Sequence, residues 1–181
     1  HAGDAATHGG DAMAGDKAMS GKLYGVGVGP GDPELMTVKA WRLVSTAKVI
    51  AYLTANGTES TARAIAAPFL PDDATEIAID MPMRVEREPA QAAYDEGSAR
   101  IAEHLGRGED VVMLCEGDPF FYGSFMYVFE RLAQRFETIV VPGVTSITAC
   151  AAQIGQPLCE RDDVLKVLPA TLDADRLREE L

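Results

Sequence analysis

From Lys22 onward the chain alternates short apolar runs with longer stretches of helical spacing, and this alternation constrains the fold more than any other feature. "KLYGVGV", "KVIAYL", "TEIAID", "DVVMLC" and "ETIVVP" read as short strands, the first apolar and the second buried. Between them, "PELMTVKAWRLVSTA", "ESTARAIAAPF", "EPAQAAYDEGSARIAEHLGRG" and "FYGSFMYVFERLAQR" carry helical spacing. Pro68 ends the second of these helices, and Pro89 with Gly106 and Gly108 frames the third. A small-residue helix, "VTSITACAAQI", follows, and "VLKVLPA" is expected to be a further strand. Strands that alternate with helices predict an α/β fold with a mainly parallel sheet and helices on both faces. In such sheets ligands bind at the carboxyl ends of the strands.

Three loops at those ends stand out. The first, "GVGVGPGDPELMT", has glycines at Gly25, Gly27, Gly29 and Gly31 but not the G-x-G-x-x-G spacing of a dinucleotide loop. Pro30 interrupts the run and removes a backbone donor, which predicts a stiff turn and not a nest of amides. No Gly-Lys-Ser/Thr is present, so a Walker loop is excluded. The second loop, "CEGDPFFYGS", offers Gly117 for close backbone approach and Asp118 either as a cap of the next helix or as an acceptor for a ligand. In the third, "VPGVTSITA", Thr145 and Ser146 open a helix, and their hydroxyls either cap it or meet a ligand. Each loop alone is as well explained by packing as by binding. Three on one edge of one sheet are harder to explain by packing.

Composition narrows the partners. The net charge of −12 repels nucleic-acid backbone and anionic lipid, so neither is expected as a partner. No apolar run reaches the roughly 18 residues of a membrane span. Cys115, Cys150 and Cys159 lack close metal-ligand spacing and read as buried thiols of a reducing cytoplasm. His1, His8 and His104 are scattered, so no metal site is expected. Residues 1–21, rich in Ala, Gly and Asp, read as a disordered extension, natural or added. At the other end, "ATLDADRLREEL" reads as the opening of a helix with more protein to follow.

"VGVGPGDPELMTVKA", "EGDPFFYGS" and "VPGVTSITA", in this order and spacing, resemble the tetrapyrrole methylase family. "MPM" at Met81–Met83 and "PLCERDDVLKVLPATL" resemble its precorrin-2 C20-methyltransferase branch. The resemblance implies S-adenosylmethionine as methyl donor, S-adenosylhomocysteine as product, precorrin-2 or its cobalt-bearing equivalent as substrate, and a homodimer in the cytoplasm. It implies an N-terminal α/β domain over residues 22–157, with residues 158–181 as the junction and start of a second α/β domain. Alternatives are methylation at another ring carbon, or an inactive fragment or binding module.

Carried over by motif, the cofactor contacts are Pro30, Glu116, Gly117, Asp118, Phe121, Thr145 and Ser146. On the substrate side the candidates are Met83, Arg84 and Tyr122, with Arg161 or Lys166 as further cations near the domain junction. Such cations would have to outweigh the acidic field of the protein around a polycarboxylate substrate. In the uroporphyrinogen methylases an aspartate after the second strand has been proposed as base. Leu53 stands at the matching position here, so the resemblance supplies no catalytic base.

Overall fold

The computed structural model describes residues 20–82 and 87–181, apart from the side chain of Arg87. The chain divides into two compact units, His1–Ser146 and Ile147–Leu181. The first unit is built on five parallel strands: β1 (Leu23–Gly27), β2 (Val49–Ala55), β3 (Thr75–Met81), β4 (Val111–Cys115) and β5 (Thr138–Val141). Their order in the sheet is β3-β2-β4-β1-β5. Leu23 is in register with Val111 on one side and Thr138 on the other, which puts the N-terminal strand inside the sheet.

Helices cover both faces, as the alternation predicts. Helices α1 (Val38–Val44) and α2 (Thr61–Ala66) pack on one face, where Ala40, Val44 and Ile65 meet Val26, Ile50, Val112 and Leu114. Helices α3 (Arg87–Gly106) and α4 (Phe125–Leu132) pack on the other, where Ile101, Leu105, Phe125 and Val128 meet Leu23, Ile77, Val111 and Met113. All five residues of β4 are buried, which explains a run without polar alternation.

Several local expectations change. The single helix expected from Pro33 to Ala47 is a 3-10 turn over Pro33–Leu35 followed by α1. The Asp32 carboxylate caps the turn by accepting from Glu34 N at 2.9 Å. Met36 is extended, and Thr37 Oγ1 then caps α1 by accepting from Ala40 N at 3.2 Å. "FYGSFMYVFERLAQR" becomes helical only from Phe125. Of the three cysteines expected to be buried, only Cys115 is, and burial pushes its thiol up to about 12. Cys150 and Cys159 are exposed. The disordered extension expected over residues 1–21 lies outside the described residues up to 19. Gly21 differs from that expectation: it is buried, and its N–H donates to Leu105 O at 2.8 Å.

The second unit begins within helix α5 (Ser146–Ile154) and ends with α6 (Ala174–Glu180), which Asp173 caps by accepting from Asp175 N and Arg176 N. The strand expected over "VLKVLPA" does not form. A strand needs a neighbour to take its backbone groups, and among the described residues none pairs with it; Val164 is 92% exposed. Lys166 Nζ instead lies 3.1 Å from Glu180 Oε2, and Arg161 Nε lies 3.9 Å from Glu160 Oε1.

One ion pair makes the first unit sensitive to acid. Arg63 on α2 grips Glu76 on β3 with Nε and Nη2 at 2.8 and 2.7 Å, and the Tyr52 hydroxyl donates to Glu76 Oε2 at 2.6 Å. The guanidinium, with help from Tyr52, holds the Glu76 carboxyl at about 2, below its ordinary 4.5. A carboxyl depressed in the folded state stabilises the fold above its unfolded pKa and loses that contribution as pH falls toward its folded value. Wild-type stability is therefore expected to decline between about pH 4.5 and pH 2 more steeply than that of Glu76→Gln. Both side chains are about a third exposed, so the difference is modest. Urea midpoints measured across this pH range test it; parallel curves would overturn the assignment.

Candidate functional site

Because the sheet is parallel, the loops after β1, β4 and β5 all emerge at one edge, as expected from the sequence. They are fastened to one another by backbone. Gly29 and Gly117 form an antiparallel bridge, in which Gly117 N donates to Gly29 O at 2.8 Å and Gly29 N donates to Gly117 O at 3.4 Å. The turn at Pro30 is made possible by its neighbours, since Gly29 has φ +87° and Gly31 φ +153°. The β4 loop turns at Gly117, with φ +63°.

Asp118 is the knot. Its Oδ1 accepts from Phe120 N at 2.9 Å and Phe121 N at 3.1 Å, and its Oδ2 accepts from Gly143 N at 3.0 Å. It does not cap α4: the residue flanking that helix is Ser124, whose side chain makes no capping bond. Of the two roles open to Asp118 in the sequence, capping the next helix is thus replaced by a turn within the loop and a tie to the β5 loop. Asparagine, an adequate helix cap, is not an adequate tie. It has one acceptor oxygen and would set an NH2 group against a backbone N–H. Asp118→Asn is expected to cost roughly 1–3 kcal/mol of stability. Denaturant unfolding followed by circular dichroism measures this, and a wild-type midpoint would contradict the tie.

Backbone atoms pack directly where the three loops meet. A Cβ on Gly27 would stand 2.5 Å from Gly117 O and 2.7 Å from Gly143 Cα. A Cβ on Gly143 would overlap Gly117 O and stand 2.9 Å from Gly27 Cα. On the outer side there is room. A Cβ on Gly117 would find only Val144 O, at 3.9 Å, and one on Gly31 would find nothing within 4 Å. The arrangement is a rigid floor of backbone with an open glycine surface, onto which a ligand can lie close.

The remaining described candidates lie on the loops that form this floor. Pro30 and Thr145 are half-buried, Glu116 is exposed, and Ser146 is the exposed first residue of α5. Phe121 is 41% and Tyr122 62% exposed, both in the loop tied down by Asp118. Phe120 anchors that loop with its ring edge-on to Phe129 at 5.1 Å. Met83 and Arg84 lie outside the described residues. Leu53, at the position of the absent aspartate, is half-buried near the end of β2. Beside it, the Asp80 carboxylate accepts from Thr54 Oγ1 at 2.9 Å and Gly57 N at 2.7 Å, a tie with no sequence signal beyond its strand-end position. The roles of Gly27 and Gly143 as contact points were also missed, although both lie in the glycine-bearing motifs. Among the described residues there is no cluster able to hold a metal ion and no helix long and apolar enough to cross a membrane.

The family model of the Tetrapyrrole (Corrin/Porphyrin) Methylases matches residues 22–181. The chain belongs to the tetrapyrrole methylases. Among its relatives is the cobalamin biosynthesis protein CobIJ of Mycobacterium bovis, 44% identical over 169 residues, with 89% of this chain and 33% of that protein covered. Another is a precorrin-2 C(20)-methyltransferase of a Sinorhizobium species, 41% identical over 160 residues, with 84% of this chain and 65% of the relative covered. A uroporphyrin-III C-methyl transferase of Thermus thermophilus, solved in complex with S-adenyl homocysteine, is similar in structure with a TM-score of 0.56 and 31% identity, covering 78% of this chain and 55% of that one. This methylase chain thus spans a third of the first relative and 65% of the second.

Proposed function

We propose that this methylase chain carries the cofactor-binding part of an S-adenosylmethionine-dependent C-methyltransferase of cobalamin biosynthesis that acts at C20 of precorrin-2. The observation that carries the reading is the convergence of the Gly29–Gly31, Gly117–Asp118 and Gly143–Ser146 loops on one open glycine floor. The C20 position is supported by the 41% identity to a precorrin-2 C(20)-methyltransferase. A homodimer in the cytoplasm, and a domain boundary near residue 157, belong to the same reading.

When bound, S-adenosylmethionine supplies an electrophilic sulfonium methyl to the ring carbon and leaves as S-adenosylhomocysteine. The protein's part is placement. Gly117 and its bridge to Gly29 let backbone approach the ligand without a side chain between. Pro30 stiffens one wall, and Phe121 adds an apolar surface that keeps water from a cation. Thr145 and Ser146 bring hydroxyls to the third loop. The ties at Asp118 hold these groups in fixed relation before any ligand arrives. Leu53 cannot accept a proton, so the proton leaving C20 goes to a group other than the residue at this position.

The test is direct. The full chain is incubated with S-adenosylmethionine and precorrin-2, and the product is read by mass spectrometry for one added methyl and by NMR for its position. A methyl on C20 is the expected result. A methyl on another carbon would retain the methyltransferase and refute the C20 assignment. Calorimetric binding of S-adenosylhomocysteine without turnover would identify a binding module.

A further inference from the structure

Tyr122 sits in a conformation that its side chain does not favour. Its φ is +51°, in the left-handed region that glycine and asparagine enter readily and bulky residues rarely do. The other two non-glycine residues with positive φ among those described are Asn56, which suits that region, and Arg161 in the second unit. Tyr122 is held there from both sides. Before it, the Asp118 carboxylate fixes the Phe120 and Phe121 amides. After it, Gly123 is wedged so closely against the chain that a Cβ would stand 2.7 Å from Asp118 O and 2.7 Å from Pro119 C.

The fold gains little from the phenol in return. Tyr122 is 62% exposed, and among the described residues its ring neighbour is Phe121, edge-on at 5.2 Å and itself 41% exposed. A strained backbone persisting under an exposed aromatic ring marks a residue kept for something outside the fold. Tyr122 belongs to the loop whose Gly117 lines the open floor and which carries Glu116, Gly117, Asp118 and Phe121 of the proposed cofactor contacts. The two rings stand at 78° to each other, so only one of them can lie parallel to a flat ligand, and the more exposed phenol is the one that offers an open face to a wide conjugated ring.

We propose that Tyr122 is a specificity-determining platform for the tetrapyrrole ring, held out toward the substrate at the expense of backbone strain. This rests on the functional reading above and deepens it, since it assigns the ring system and not the methyl donor to this side chain.

The experiment compares the full wild-type chain with Tyr122→Asn and Tyr122→Phe. Binding of uroporphyrin III, a stable tetrapyrrole probe, is followed by fluorescence, binding of S-adenosylhomocysteine by calorimetry, and Tm by circular dichroism. Asparagine fits the left-handed backbone, so Tyr122→Asn is expected to melt at or above the wild-type temperature while binding uroporphyrin about tenfold more weakly, the loss of roughly one stacked ring. S-adenosylhomocysteine affinity is expected to stay within about twofold of wild type, a change well under the 1.4 kcal/mol of a tenfold effect. Tyr122→Phe keeps the ring and is expected to bind uroporphyrin nearly as wild type does. A lower Tm for Tyr122→Asn would show that the phenol serves the fold and would overturn the proposal. Equal uroporphyrin binding by wild type and Tyr122→Asn would overturn it while leaving the methyltransferase reading intact, and so would a loss confined to S-adenosylhomocysteine. A folded wild type that binds neither ligand would overturn both.

Discussion

Gly143→Ala is expected to be one of the most damaging small substitutions among the described residues. One added methyl would overlap the Gly117 carbonyl oxygen and press within 2.9 Å of Gly27 Cα. Every atom it meets is backbone, so no rotamer change relieves the clash. The β5 loop must move away, and the bond from Gly143 N to Asp118 Oδ2 is lost with it. Overpacking typically costs 1–3 kcal/mol, and an orphaned carboxylate oxygen adds to that, so a loss of roughly 3 kcal/mol or more is expected. Against a typical stability of about 5–15 kcal/mol this is a large fraction. S-adenosylhomocysteine affinity should fall at least tenfold, because the floor is formed by the contact that is broken. Gly106→Ala is the control. It lies in α3 with nothing within 4 Å of an added Cβ, and alanine favours a helix by up to about 1 kcal/mol. Urea unfolding and calorimetry on the two variants decide the matter; equal midpoints would show that the loops can separate freely.

The second large effect is expected at Phe125, on the opposite side of the sheet from α1. Phe125 is fully buried, and its ring lies over Gly25 in β1, where an added Cβ would run into ring atoms Cε1, Cζ and Cδ1. Gly25 is therefore the socket of this ring. Removing the ring leaves a cavity in the centre of the core, and Phe125→Ala is expected to cost about 3–5 kcal/mol. Gly25→Ala should be severely destabilising in the wild type and much less so in the Phe125→Ala background, where the new methyl partly fills the void. Such non-additivity is the signature of direct contact. Two costs that simply add would show that the ring and the glycine are independent. The effect would also reach the β4 loop, because Phe120 packs at 6.0 Å from the Phe125 ring.

The architecture was legible because it rests on patterns that local sequence carries. A run such as "VVMLC", without polar alternation, fits a strand buried on both faces of a helix-covered sheet, and the five strands form where short apolar runs predict them. The convergence of three loops followed from parallel connectivity alone. What escaped detection depends on tertiary partners. Asp118 reads equally well as a cap, and only the nearness of Gly143, 25 residues on, shows it to be a tie. Gly27 and Gly143 carry no mark that separates a close contact from a flexible turn. "VLKVLPA" has a strand's composition, but composition does not provide a neighbouring edge. The break at Met36 within an apparently continuous helix was signalled by Asp32 and Thr37, each of which starts its own turn.

The placement of β1 has a consequence for how the chain is assembled over time. Of the five described strands, the first lies between the fourth and fifth, β4 and β5, and its earliest partner, Val111, is 88 residues downstream of Leu23. Strands β2 and β3 can pair across a short crossover as soon as both exist, but β1 must wait without a partner on either edge until β4 is available. Long-range pairing of this kind closes a large loop before it is rewarded, which slows folding. During synthesis at about 5–20 residues per second, β1 would remain unpaired for several seconds. In that interval the glycine-rich segment from Gly25 to Gly31, with few apolar side chains to offer, is a poor seed for association with other chains. The glycines that form the floor of the candidate site in the finished protein would thus also shield the strand while it waits.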